Sequence, residues 1–141
     1  MRVYSIPDQV YQQKIFLVVG ADQKTLQSYL RKKYPNFEDK DKNDMERLGT
    51  TTGAYFTVEN KKYGILHRYI VLQKFNWLID EQALLVHELD HARDDMLEYV
   101  GVDIKDQEAR AYFLQYLFRE VYRKLRAYHP NIKRKKRLVK A

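Results

Sequence analysis

Apolar and polar residues follow two different periods along the chain, and each period predicts a different kind of element. The apolar run at residues 13–19, bounded by Gly20, predicts a buried strand. Asp22 is the predicted N-cap of a helix whose apolar residues recur at helical spacing until Pro35. The next predicted elements are a polar loop at 36–52, strands at 53–58 and 63–75, and a turn between them at 59–62.

Two longer helices are predicted in the second half, because apolar residues recur there every three or four positions. The first runs from about residue 81 to residue 100, with Asp80 as its N-cap and Gly101 in the left-handed position that ends it. The second begins near Asp106, runs to about residue 128 and is stopped by Pro130. The first helix has an apolar face (Leu85, Val86, Leu89, Met96, Leu97, Val100) and a polar face (His87, Glu88, Asp90, His91, Asp94, Asp95, Glu98), and the second has an apolar stripe (Ala111, Leu114, Leu117, Phe118, Val121, Leu125).

This order of elements predicts an α+β fold. We expect a small, mostly antiparallel sheet packed on an N-terminal helix and two longer C-terminal helices, since apolar strands need cover on both faces. The chain has 141 residues, which suits a single domain at 1–130 followed by a basic tail at 131–141.

Composition limits the expected cellular compartment of the protein and the side chains that could bind a metal. The chain has no cysteine, so any metal must be bound by histidine and carboxylate. No apolar run is long enough for a membrane helix, and residues 1–7 lack the apolar core of a signal peptide, which predicts a cytoplasmic protein without a membrane partner. The net charge is +7, of which residues 131–140 supply six positive charges. Residues 133–140 are expected to contact nucleic acid non-specifically, to bind an acidic partner, or to stay solvated.

The candidate chemistry lies at His87-Glu88-Leu89-Asp90-His91, an H-E-x-x-H pattern in the first long helix. Histidines four residues apart lie one turn apart on one face, so both rings can reach one ion. Glu88 is placed to hold a water molecule beside that ion. Neutral nitrogen ligands, an open coordination position and a carboxylate base are what hydrolytic zinc chemistry requires, so the pattern predicts bound Zn²⁺. The alternative is two solvent-facing histidines that lie one turn apart by chance.

A catalytic zinc ion takes three protein ligands, and nearby carboxylates are the candidates for the third. Asp94, Asp95 and Glu98 lie on the same helix as the histidines, and a straight helix cannot bring three such positions onto one ion. Glu108, in the first turn of the next helix, can reach back if the two helices pack antiparallel. Asp106 is expected to serve as an N-cap, and Asp103 is the weaker alternative.

The segments 85–92, 101–102 and 108–112 resemble the gluzincin zinc peptidases, and most closely the minimal single-domain versions carried by bacteriophages and mobile elements. The resemblance covers roughly residues 80–120. It implies a zincin-like fold, with His87, His91 and Glu108 as zinc ligands and Glu88 as the general base. It also implies peptidase activity, in the host cytoplasm or in a virion.

The expected reaction is hydrolysis of a peptide bond in a peptide or protein substrate. Zinc lowers the pKa of its bound water, and Glu88 takes that proton and delivers it to the leaving amine. The candidate hydrogen-bond donors to the oxyanion are Tyr112, which we assign a catalytic role, Tyr116 and His67. Residues 68–72 are expected to form the sheet edge along which the peptide lies. The acidic face of the first long helix is expected to favour basic peptides.

Two other hypotheses follow from the same residues. One is a non-catalytic protein, virion-associated or binding, that keeps the zincin scaffold and contacts nucleic acid through the basic tail. The other is a metallopeptidase whose basic tail binds DNA and localises the enzyme there.

Overall fold

The computed structural model describes residues 1–35, 37, 52–60 and 64–127, which form four strands and three helices. The sequence predictions for the polar loop, the centre of the turn at 59–62, Pro130 and the tail at 131–141 concern residues outside these ranges. The elements are β1 (Arg2–Pro7), β2 (Lys14–Val19), α1 (Gln23–Lys33), β3 (Gly53–Asn60), β4 (Ile65–Leu72), α2 (Ile79–Tyr99) and α3 (Gln107–Ala127).

The four strands form one sheet in the order β1-β2-β4-β3. β1 pairs with β2 and β3 pairs with β4 in antiparallel orientation, whereas β2 and β4 run parallel. The sheet is therefore mixed, and the overall class is α+β, as predicted. The prediction that residues 68–72 form a sheet edge is wrong, because β4 lies between β2 and β3 and is buried on both faces. The hydrophobic pattern did not predict β1, in which only Ile6 is fully buried.

Helices cover the two faces of the sheet, because alternate residues of the central strands point to opposite sides. On one face, α1 packs through Leu26 and Leu30. On the other face, α2 and α3 pack through Leu85, Leu89 and Leu117. The α1 face of the sheet includes Val18, Phe56, Tyr69 and Val71, and the α2–α3 face includes Ile15, Leu17, Ile70 and Leu72.

The start of α2 differs from the prediction. Leu78 is the N-cap and α2 begins at Ile79, so Asp80 lies inside the first turn and the prediction that it caps the helix is wrong. Glu81 takes over the role, since its carboxylate accepts hydrogen bonds from the backbone N–H groups of Asn76 and Leu78, at 2.6 and 3.3 Å. An acidic residue three positions after the N-cap can reach back in this way.

Three other predicted helix boundaries are confirmed: the start of α1, the end of α2 and the start of α3. The Asp22 carboxylate accepts a hydrogen bond from the Thr25 N–H at 2.7 Å and caps α1. Gly101 follows α2 with a φ of 79°, in the left-handed region. The Asp106 carboxylate accepts a hydrogen bond from the Ala109 N–H at 3.0 Å and caps α3.

Two side-chain contacts define how α2 and α3 pack. Arg110 donates hydrogen bonds to Asp94 at one end of the helix pair, and the Tyr122 hydroxyl donates to the Gln82 side chain at the other, at 2.9 Å. Both contacts fit one antiparallel register. In that register Phe113 lies level with His91, Leu117 with His87, and Glu108 with Met96.

Some residues of the predicted apolar faces are exposed. Ala111 is exposed, and Phe113, which the predicted stripe omits, is buried with 4% exposure. Val86 and Val100 are each 38% exposed. The stripe on each helix is therefore rotated slightly from the predicted one, because each helix packs against both the sheet and its neighbouring helix.

Candidate metal centre

The two motif histidines converge on one point. The Nε2 atoms of His87 and His91 lie 3.1 Å apart on the exposed side of α2. Two zinc–nitrogen bonds of about 2.0–2.1 Å would span this separation with an angle of roughly 100° at the metal, close to the tetrahedral value. The pair therefore fits the demands of a zinc ion for two of its ligands.

Glu88 is buried, although the sequence pattern placed it on the polar face. It is 6% exposed, and burial raises the pKa of its carboxyl, an effect that the nearby His87 and His91 partly oppose. Because α2 packs against the sheet beside β3, the side of the helix that carries Glu88 is turned toward the sheet. A Cβ atom at Gly53 of β3 would lie 2.9 Å from a methyl carbon of Leu84, one turn before Glu88, so α2 and β3 pack closely here.

Glu108 lies apart from the histidines. It is exposed in the first turn of α3, level with Met96 in the helix register. Met96 is five residues after His91 on α2, so the two positions are about 7.5 Å apart along the helix axis. Side chains on α3 also tilt toward its N-terminus, away from His91. Among the residues that the structure describes, no three His, Cys, Asp or Glu side chains are grouped to hold a metal ion.

The aspartates of the polar face are paired with arginines. Arg93, which is 5% exposed, donates hydrogen bonds to Asp90 and Asp94, and Arg110 donates to Asp94. Partial burial works against the charge of Asp94, but the hydrogen bonds from the two arginines outweigh it and lower the pKa of its carboxyl. The face is therefore less acidic than the sequence indicates, and the expectation that it attracts basic peptides loses its main support.

A second polar cluster lies one turn beyond His91. The Asp95 carboxylate accepts hydrogen bonds from the Tyr55 hydroxyl at 2.5 Å and from Arg68 Nε at 3.1 Å. Arg68 is 1% exposed, and the Tyr99 ring lies over its guanidinium at 5.0 Å. Burial, and then the hydrogen bond to Asp95 and the charge of that carboxylate, raise the pKa of Tyr55 well above its ordinary range. Sequence reasoning missed this cluster, and its one signal was a charged residue, Arg68, inside an apolar strand.

The predicted oxyanion donors are dispersed. Tyr112 is 68% exposed on α3. The Tyr116 hydroxyl donates a hydrogen bond to the Pro7 carbonyl oxygen and accepts one from the Gln9 N–H, both at 3.0 Å, so it ties α3 to the end of β1. His67 lies on the sheet face that α1 covers, and its candidacy as an oxyanion donor is wrong. Residues of one strand alternate between faces, so α2 contacts Arg68 and cannot contact His67.

His67 belongs to a buried aromatic cluster. The Tyr34 hydroxyl lies 2.5 Å from His67 Nδ1 and 2.5 Å from the Tyr69 hydroxyl, and it bridges the two. Burial lowers the pKa of His67, and the positive charges of Lys33 and Lys14 lower it further. A neutral ring that accepts a hydrogen bond from the Tyr34 hydroxyl at Nδ1 satisfies this arrangement.

Comparison of the chain with protein-family models, with curated proteins and with solved structures finds no match. Within the described residues, no helix has both the length and the apolar character needed to cross a membrane.

Proposed function

We propose that this protein is a zinc-dependent peptidase that binds one zinc ion through His87 and His91 and uses Glu88 as its general base. The observation that carries the proposal is the pair of converging Nε2 atoms, 3.1 Å apart, next to a buried carboxylate on the same helix. Groups with perturbed pKa values cluster at functional sites, so a carboxylate of raised pKa beside two converging histidines supports the proposal.

When bound, zinc would supply the Lewis acidity that polarises a carbonyl group and makes water acidic. Glu88 would hold that water through a hydrogen bond, accept its proton and pass the proton to the departing amine. The raised pKa of the Glu88 carboxyl suits this role, because a stronger base takes a proton more readily near neutral pH.

Glu108 is the proposed third ligand, and its participation requires the first turn of α3 to move toward His91. The segment that joins α2 to α3 contains Gly101 in the left-handed conformation, where the backbone direction changes.

The proposed fold family is zincin-like, with a peptide or protein as substrate. Its support is an α+β architecture in which the H-E-x-x-H helix packs on a sheet and lies beside the edge strand β3. An extended peptide can add to a sheet edge through backbone hydrogen bonds, which would bring its carbonyl groups near this helix.

Metal content of the purified protein tests the proposal directly. We expect one zinc ion per chain in the parent, and none in the His87→Ala, His91→Ala double variant, because too few protein ligands remain. Glu108→Gln should weaken zinc binding, whereas Glu98→Gln, an exposed matched control on α2, should not. If the two glutamate substitutions change zinc affinity equally, Glu108 is not a zinc ligand. The proposal that His87 and His91 bind zinc would be unaffected by that result.

Activity is tested with Glu88→Gln, which keeps both histidines. We expect zinc content to stay unchanged and hydrolysis of a peptide library to fall by roughly 10²- to 10⁴-fold. The second candidate is a non-catalytic binding protein on the same scaffold, which the separation of Glu108 from the histidines favours. That candidate predicts no cleavage by the zinc-loaded parent, with zinc removal lowering only its melting temperature.

A further inference from the structure

The histidine pair of α2 offers a metal ion two nitrogen ligands on an open surface. His87 and His91 are both exposed, and their Nε2 atoms lie 3.1 Å apart. A zinc ion held by protein side chains alone takes four ligands in a tetrahedron. Within the part of the chain that the structure describes, no third His, Cys, Asp or Glu joins the pair in a metal-binding group. The pair is therefore half of a closed zinc site.

The helix surface around the pair leaves room for a second helix. Ala83 is exposed one turn before His87, and its methyl group is the smallest side chain that could stand beside an approaching copy. Asp90 and Asp94 flank the histidines, but both accept hydrogen bonds from arginine side chains. Little net charge therefore opposes close approach at the level of the histidines.

The two ends of the same surface carry like charge. Asp80 and Glu98 are exposed on α2, each about 13.5 Å along the axis from the midpoint of the histidine pair. Two copies that met through this surface would bring four such carboxylates to it, and these would repel one another weakly across water. Association through this surface therefore requires a ligand that holds the copies together.

We propose that one zinc ion joins two copies of this chain through the His87 and His91 rings of both. Each pair spans an angle of roughly 100° at the metal, so two pairs at right angles to each other complete a tetrahedron. A two-fold axis through the ion relates the copies, and the same surface then serves on each of them. The second copy supplies two nitrogen ligands without any movement of α3, and Glu108 has no part in this site.

The bridged dimer would be inactive, a consequence that rests on the proposed peptidase function. A zinc ion with four nitrogen ligands keeps no open position for water or for a substrate carbonyl group. Hydrolysis would then belong to the monomer, and the dimer would store the metal. The two forms differ in stoichiometry, since two chains share one ion in the dimer and each chain holds its own in the monomer.

The test is a zinc titration of the metal-free full chain, with molar mass measured by analytical ultracentrifugation and bound zinc measured in the same samples. The test variant is Ala83→Arg, which places a long charged side chain in the contact surface and keeps both histidines. The matched control is Ser28→Arg, which adds the same side chain at an exposed position of α1, on the other face of the sheet.

We expect the molar mass of the parent to double when one zinc ion is added for every two chains. Further zinc should reverse the change by mass action, because each histidine pair then takes an ion of its own. Ser28→Arg should behave like the parent. Ala83→Arg should stay monomeric at every zinc level, and the His87→Ala, His91→Ala double variant should neither bind zinc nor dimerise.

Three results would overturn the bridge. A parent that binds zinc through the histidines and stays monomeric at one ion for two chains would do so and leave the proposed function standing. Dimers that form equally in Ala83→Arg, or in the double histidine variant, would place the contact elsewhere. A dimer with one zinc ion in each chain would exclude a shared ion. Absence of zinc binding by the parent would end both this proposal and the proposed function.

Discussion

Asp94 of α2 accepts two hydrogen bonds from the Arg110 guanidinium of α3, at 3.2 and 3.3 Å. Together with the contact between Tyr122 and Gln82, this pair defines the antiparallel register of the two helices. The register decides which side chains of α3 lie level with the histidines. Those residues are Phe113 and Leu117, which are buried and apolar, and Glu108 lies beyond them.

Arg110→Gln should destabilise the fold near neutral pH by less than about 1 kcal/mol, because the Asp94 side chain is more than one-third exposed and solvent screens the pair. The pKa of Asp94 is lowered in the folded protein, so its contribution is present above the ordinary carboxyl pKa of 3.8 and is lost as the pH falls below it. Urea titrations at several pH values should show the difference between parent and variant shrinking in acid. Arg123→Gln, which removes a guanidinium that is 67% exposed from its pair with Glu120, is the control and should not show this loss in the same way, since it leaves the Asp94 pair intact.

Tyr34→Phe should destabilise the fold by roughly 1–3 kcal/mol, because it leaves two buried polar groups, His67 Nδ1 and the Tyr69 hydroxyl, without their bridging partner. Tyr112→Phe removes a hydroxyl from a side chain that is 68% exposed and should be neutral. Thermal unfolding of both variants measures the difference. Identical melting temperatures for the two would contradict the proposed bridge.

His67 should make the fold sensitive to mild acid. Burial lowers its pKa in the folded protein, so the unfolded chain takes up the proton first. The stability that depends on the neutral ring is complete above the ordinary histidine pKa of 6.5 and is lost as the pH falls from there toward the folded-state pKa. Chemical denaturation between these pH values should show the loss in the parent, and a flatter profile in His67→Gln.

Glu88→Gln should stabilise the metal-free protein near neutral pH, which is the opposite of what removing a structural residue does. The raised pKa of Glu88 means that its charged form is penalised by burial, so the penalty is present once the pH rises above the ordinary glutamate pKa of 4.5. The gain in melting temperature, measured with a chelator present, should disappear below that pH. A variant less stable than the parent at neutral pH would show that the buried carboxylate has a stabilising partner.

Gly101→Ala should cost about 1 kcal/mol, because an L-residue with a side chain is strained in the left-handed conformation. Gly101 has a φ of 79°, and an added Cβ would meet no atom within 4 Å, so the cost is one of backbone alone. Gly101→Asn should cost less, since asparagine tolerates this conformation better than alanine does. Equilibrium unfolding of the two variants gives the comparison.

Local patterns were sufficient for much of the fold. The apolar run before Gly20, the helical spacing after Asp22 and the left-handed Gly101 each predict structure through interactions within a few residues. Caps were less predictable when two acids competed. Asp80 and Glu81 both suit the start of α2, and in the structure Glu81 is the one that accepts the backbone N–H groups of Asn76 and Leu78.

By itself the sequence determined that His87 and His91 share one helical face, because a spacing of four residues closes one turn in any helix. Tertiary packing decided the rest of the site. Glu88 is buried because α2 contacts the sheet. Glu108 lies beyond the level of the histidines because Asp94 pairs with Arg110. His67 lies on the opposite face of the sheet from α2 because residues of β4 alternate between the two faces. These relationships join residues far apart in the chain, where no local period carries information about register.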